Sequence, residues 1–125
     1  METPTRIMVV EAHAPMREGV AQLICSQTDM VLVGRAASVE AALFAYAGCL
    51  PDITILDSRL ANGEGLLGLR LLLDEHPDAR VIVMTTYDHD LNVDAILDAG
   101  ARAVLLKATL RHELLPLIRR VRAGE

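Results

Sequence analysis

The chain has 125 residues, 52% hydrophobic and 23% charged, which is the size and balance of one globular domain with a core of its own. Its 17 acidic residues against 12 basic ones give a formal charge of -5, and that excludes the concentrated basic face needed to hold a phosphate backbone. With 2% aromatic residues and no Trp, stacking platforms for bases or sugars are excluded as well.

Short apolar runs alternate with longer amphipathic ones. In chain order the strand-like runs are RIMVV (6–10), MVLVGRA (30–36), DITIL (52–56), RVIVM (80–84) and AVLL (103–106). They are rich in Val, Ile and Leu with little polar alternation, as parallel strands covered on both faces require. Helical spacing fills the intervals: Val20, Leu23 and Ile24; Val39, Ala42, Leu43 and Tyr46; Leu66, Leu69 and Leu73; Val93, Ile96 and Leu97; Leu114, Leu117, Ile118 and Val121. Pro15 suits a first helical turn, Ser38 and Thr109 suit N-caps, and Gly100 suits the left-handed residue after a helix. Pro116 falls inside the last amphipathic pattern, where a kink rather than a boundary is expected. The pattern predicts a single α/β domain, a doubly wound (βα)5 unit with a parallel five-stranded sheet and a core spanning about residues 6–122.

No apolar run reaches membrane-spanning length, and METPTR lacks a secretion-signal pattern, so a cytoplasmic protein with no membrane partner is expected. Cys25 and Cys49 lie in apolar helical patterns without CxxC or His spacing, which predicts buried reduced thiols rather than a disulfide or a zinc site. The basic cluster Arg119, Arg120 and Arg122 reads as the solvated side of a last helix, its charge favoured by the helix C-terminus.

Doubly wound sheets place their chemistry outside the carboxyl ends of the strands, and this rule selects Glu11 to Ala14, Asp57 to Arg59, Thr85 to Tyr87, and Lys107. No glycine-rich turn follows the first strand, so neither a dinucleotide fingerprint nor a P-loop is present. Asp57 is placed to be a rigidly held nucleophile, Thr85 to offer a hydroxyl, and Lys107 to offer a point charge for phosphate. Singly, each has a blander explanation: a loop or helix cap for Asp57, a β-branched strand end for Thr85, a snorkelling stem for Lys107. Together, at the correct ends of three strands, they form a site. His13 and His89, with Asp88 and Asp90 beside the latter, share that edge, but no ligand spacing marks a transition-metal site, and a loop His is usually solvated.

The segments RIMVVEAHAPMREGVAQLI, PDITILDSRLANGEGL, RVIVMTTYDHD and DAGARAVLLKATLRHELLPLIRRVRAGE resemble the receiver domain of bacterial two-component response regulators of the NarL/FixJ type, over essentially the whole chain. The resemblance implies the flavodoxin-like receiver fold. It implies Asp57 as phosphoacceptor, Thr85 rather than Thr86 as the hydroxyl that follows the phosphoryl group, and Lys107 as its salt-bridge partner. It further implies a sensor histidine kinase or small phosphodonor, a homodimer, and DNA binding only through a C-terminal helix-turn-helix domain lying beyond these residues. The family's paired acids after strand one become Glu11 and Ala12, so a weakened Mg2+ site is expected, held by Glu11, Asp57 and the Arg59 backbone carbonyl. Ala61 replaces the family's usual Pro, Val104 its switch aromatic, and Ala108 its usual Pro or Asp; Tyr87 is a stand-in for the lost aromatic or else a surface loop residue. The rival reading is a pseudo-receiver governed by a ligand, a partner or constitutive dimerisation. An independent aspartyl-phosphate hydrolase would need an acid or base beside the nucleophile; Ser58 and Arg59 follow Asp57 instead, so no enzyme is expected.

Overall fold

The computed structural model describes residues 3–60, 65–86 and 93–124; Ala61, Tyr87, Asp88, His89 and Asp90 lie outside them. Five strands, β1 (Thr5–Val10), β2 (Met30–Ala36), β3 (Ile53–Asp57), β4 (Val81–Thr85) and β5 (Ala103–Leu106), alternate with five helices. These are α1 (Ala14–Cys25), α2 (Val39–Cys49), α3 (Gly65–Glu75), α4 (Val93–Asp98) and α5 (Leu110–Arg122). Every strand pair is parallel and the sheet order is β2-β1-β3-β4-β5. This is the doubly wound architecture that the alternating pattern predicts.

The strands are continuous in apolar character because the sheet is packed on both faces. Met8, Val10, Leu56, Val81 and Val83 meet Ala42, Tyr46, Leu69, Leu72 and Ile96 from α2, α3 and α4. The alternate residues Ile7, Val9, Ile55, Ile82 and Met84 meet Val20 and Ile24 of α1 and Leu114, Ile118 and Val121 of α5. Each such side chain contributes about 1.5–3 kcal/mol by leaving water, and the period-two assignment to opposite faces fixes the register. The edge strand β2 departs from the expected double coverage: it pairs only with β1, and Val31 is 40% exposed. A register shift between Ile7 and Met8 sets Gly34 opposite Met8, whose side chain occupies the room a Cβ would need.

Two strands run one residue further than the apolar pattern suggests, so that Asp57 and Thr85 are themselves the last residues of β3 and β4, paired with Met84 and Leu106. The ladder continues past the apolar run because backbone hydrogen bonding is indifferent to the side chain. Asp57 and Thr85 are thereby anchored in the sheet rather than in loops.

The helix ends follow the sequence in part. Pro15 lies in the first turn of α1, Ser38 Oγ accepts from Ala41 N at 3.1 Å, and Gly100 has φ +113°. Thr109 precedes α5 as expected, but its side chain does not cap the helix; the hydroxyl donates to Glu113 Oε2 at 2.8 Å, because a 3-10 turn over Lys107–Thr109 already leads the chain into α5. The helix α5 continues through Pro116, which occupies the exposed side. The two thiols correct an expectation: Cys25 is exposed and Cys49 only half-buried, since Cys25 ends α1 on the face turned from the sheet while Ile24 takes the core position.

Leu50 caps α2 with φ +44° and ψ +66°, in the left-handed region, with its side chain 59% exposed. A side chain with a Cβ pays about 1–2 kcal/mol there, and little packing offsets it. Leu50→Gly is expected to raise stability by about 0.5–1 kcal/mol, read as a higher urea midpoint; a lower midpoint would mean that the Leu50 side chain contributes more than its backbone costs.

Candidate functional site

The carboxyl edge of the sheet assembles the site through register. Val10 pairs with Leu56, so Glu11 and Asp57, one residue on, arrive at the same level. Glu11 N donates to Ala36 O at 2.9 Å and Ser58 N to Met84 O at 2.8 Å, which extends the ladder past both acids. Thr85, buried at the end of the neighbouring strand, stands beside them, while Thr86 is exposed.

Lys107, the first residue after β5, reaches across the edge. Its Nζ lies 2.8 Å from Glu11 Oε1 and 3.0 Å from Asp57 Oδ1, with the lysine side chain 21% exposed and the two acids 1% and 4%. Two carboxylates almost out of water thus share one ammonium. Glu11's other oxygen, Oε2, accepts from His13 N at 3.3 Å, while Asp57 Oδ1 takes a second hydrogen bond, from Arg59 N at 3.1 Å. Arg17, one turn into α1, donates from Nη1 to Glu11 O at 2.8 Å and ties the helix to the acid's backbone.

The protonation balance follows from this geometry. Burial is the main cause that pushes the Glu11 carboxyl above the ordinary glutamate value, and the neighbouring Asp57 adds to it against the opposing pull of Lys107. Burial works against the charge of Lys107, but its hydrogen bonds to Glu11 and Asp57 outweigh that cost and hold it above the ordinary lysine value. The ammonium is therefore the secure charge of the trio and the Glu11 carboxylate the costly one.

Asp57, Thr85, Lys107 and Glu11 are brought to one edge, as the sequence suggested. Arg59 and Ala12 line the open mouth above them, together with His13, in a cavity of about 570 Å³. The Mg2+ donor set named from sequence is present but short: Ala12 offers no oxygen, and Lys107 already bridges the two carboxylates. Among the described residues no group of three or more His, Cys, Asp or Glu converges on one point. Such a set fits a hydrated, loosely held ion, since Mg2+ accepts one or two carboxylates when water fills the rest of its octahedron. His13 contributes its backbone N–H, and His89 lies outside the described residues, so the histidine pair stays undeveloped.

Two features of the site escape residue-type reasoning. Gly65, the first residue of α3, lies against the Asp57–Ser58 backbone, and a Cβ there would overlap the carbonyl oxygens of both residues. Only a close backbone approach explains that glycine, and the sole sequence signal was a glycine at a loop-to-helix junction. Ser58 Oγ is buried with no hydrogen-bond partner, which nothing in the sequence announced. Two of the three clustered arginines make contacts within the domain: Arg119 holds Asp29 through Nε at 2.9 Å, and Arg122 holds Thr3 O at 2.8 Å.

Comparison with known proteins places this geometry in context. The family model described as the response regulator receiver domain matches residues 7–119. The chain is similar to the DNA-binding transcriptional activator DevR/DosR of Mycobacterium tuberculosis, 34% identical over 95% of this chain and 55% of that protein. It is similar also to the nitrate/nitrite response regulator NarL of Escherichia coli, 30% identical over 99% of this chain and 57% of that protein. The chain therefore spans a little over half the length of these relatives. Among solved structures, a LuxR-family response regulator from Aurantimonas superposes with a TM-score of 0.92 at 28% identity, covering 98% of this chain and 88% of that one. The receiver domain of the putative response regulator NarL from Mycobacterium tuberculosis gives 0.90 at 27% identity, covering 99% and 100%.

The burial of Glu11 has a measurable consequence. Its folded-state pKa is raised above the unfolded value near 4.5, so between those two values the folded state binds more protons than the unfolded one and stability falls as pH rises. Glu11→Gln lacks this proton linkage. The difference in urea midpoint between Glu11→Gln and the parent is expected to grow in favour of the variant as pH rises through this window; a pH-independent difference would contradict the linkage.

Proposed function

The chain belongs to the response regulator receiver domain family, and we propose that it is a phosphorylation switch with Asp57 as phosphoacceptor and a weakened metal site. The observation that carries this reading is the Lys107 ammonium at 3.0 Å from Asp57 Oδ1, with Thr85 buried at the adjacent strand end. An ammonium fixed beside a carboxylate is positioned to hold a phosphoryl oxygen once the carboxylate is esterified.

In the proposed reaction with a small donor such as acetyl phosphate, an Asp57 carboxylate oxygen attacks phosphorus. A new O–P bond forms, the P–O bond to the acetyl group breaks, and acetate leaves with the electron pair, so no general acid is required. Oδ2 suits the attack because Oδ1 holds the Lys107 and Arg59 hydrogen bonds. Lys107 then follows the phosphoryl oxygens and loosens its hold on Glu11, while the Thr85 hydroxyl donates to another of them. Bound Mg2+ would add charge neutralisation at the phosphoryl oxygens; Glu11, Asp57 and the Arg59 carbonyl are the oxygens that would hold it. The output is a change of surface rather than catalytic turnover, in keeping with relatives that are response regulators.

Val104 is half-buried on β5 and has no ring to reorient, so the surface change is carried by Thr85 and the displaced Lys107. We assign the sensing role to residues 1–125, with the core near 6–122, in a cytoplasmic response regulator that receives its phosphoryl group from a sensor histidine kinase or a small donor. No described helix is long and apolar enough to cross a membrane. Any DNA contact would belong to a separate C-terminal helix-turn-helix domain, an assignment supported by the DNA-binding role of DevR/DosR and by this chain covering only 55% of that protein.

A second reading, a pseudo-receiver controlled by a ligand, a partner or constitutive dimerisation, is favoured by Ala12 and by the closed Glu11–Lys107–Asp57 bridge, which offsets part of the carboxylate charge in the resting site without metal. Intact mass after incubation with acetyl phosphate and excess Mg2+ separates the two. One phosphoryl adduct that disappears in Asp57→Ala is expected; a folded sample that gains none would favour the pseudo-receiver. Light scattering in the presence of a phosphoryl mimic should give a concentration-dependent approach to dimer mass; a mass fixed at monomer at every concentration would remove the homodimer.

A further inference from the structure

The mouth over Asp57 is unusual in its balance of charge. Of the residues that line it, Glu11 and Asp57 are acids, Lys107 and Arg59 are cations, and Ala12 and His13 supply no further negative charge at neutral pH. Lys107 sits in the floor, engaged with both acids. Arg59 stands at the rim: it is exposed, and its backbone N–H is fixed to Asp57 Oδ1 at 3.1 Å. The start of its side chain is therefore held by the very carboxylate that the phosphoryl group would join. A guanidinium on a long stem at that point can fold over the mouth, and its planar fork matches two phosphoryl oxygens in a way an ammonium cannot.

We propose that Arg59 and Lys107 form a two-cation clamp on the phosphoryl group, from above and below, so that anion capture at Asp57 proceeds without a divalent ion. The inference rests on the phosphoacceptor reading and adds to it the residue that compensates for Ala12. The division of labour is electrostatic. Esterification replaces one carboxylate charge with a phosphoryl group of roughly -1.5 to -2. Lys107 is already shared between two acids, so a second permanent charge is needed on the side open to solvent. Arg59 supplies it, and the short carboxylate set gives a competing Mg2+ little hold there.

The test measures the rate of phosphoryl-adduct formation from acetyl phosphate by intact mass, in excess Mg2+ and in metal-free buffer with chelator, for the parent protein, Arg59→Met and Arg59→Lys. Arg59 is exposed, so the variants should fold, and circular dichroism checks that they do. The parent rate is expected to change by less than about threefold on metal removal, whereas Arg59→Met should lose at least about tenfold without metal, as when one preorganised donor is deleted. Arg59→Lys should fall between. A parent rate that collapses without Mg2+, or an Arg59→Met rate that tracks the parent in both buffers, overturns the clamp while leaving the phosphoacceptor reading intact. A parallel titration with inorganic phosphate in chelator, followed by the amide resonances of Asp57 to Arg59, separates the two ideas. Weaker binding in Arg59→Met, by at least about fivefold, supports the clamp even where no protein acquires an adduct; equal binding in that case overturns it, together with the phosphoacceptor reading.

Discussion

One ammonium shared by two buried carboxylates organises this molecule's functional edge. Removing Lys107 from between Glu11 and Asp57 would leave two like charges almost out of water, an arrangement that low dielectric penalises heavily. The bridge is also the reason the acids can lie so deep. It spans from the end of the first strand through the third to the end of the fifth, so it ties the middle of the sheet to its far edge, where β5 turns into α5.

That coupling depends on the sheet being a rigid platform. The strands are packed on both faces by interlocking side chains from α2, α3 and α4 on one side and α1 and α5 on the other. Close-packed interiors transmit displacement instead of absorbing it. Gly65 sharpens the point: α3 begins in direct contact with the Asp57–Ser58 backbone, so Asp57 is held from behind as well as from the ladder. The open side lies in front, where Lys107 and the exposed residue Arg59 line the mouth.

Ala12 changes the electrostatic problem rather than abolishing it. With one carboxylate fewer, the resting site needs less positive charge from outside, and Lys107 covers much of what remains. The same deletion removes the grip by which a divalent ion would be held. A site so balanced either carries out phosphoryl capture with its own side chains or serves as a stable docking geometry for something else.

Much of this was legible in the sequence. Five Val- and Ile-rich runs interleaved with helical spacing determined the doubly wound sheet, because few other packings bury such strands on both faces, and the rule that sheets expose their chemistry at the carboxyl edge selected Asp57, Thr85 and Lys107. Cys25 misled, since an apolar pattern does not say which side of a helix's last turn meets solvent, and Thr109 found another partner because a 3-10 turn intervened before α5. What tertiary structure alone decided was distance: that Glu11 turns inward to share Lys107, that Gly65 abuts the Asp57–Ser58 backbone, and that Ser58 Oγ is enclosed without a partner. Residue types and their periodicity specify which face a side chain takes. The meeting of atoms 96 residues apart depends on strand register and sheet order, which arise only when all five strands are paired.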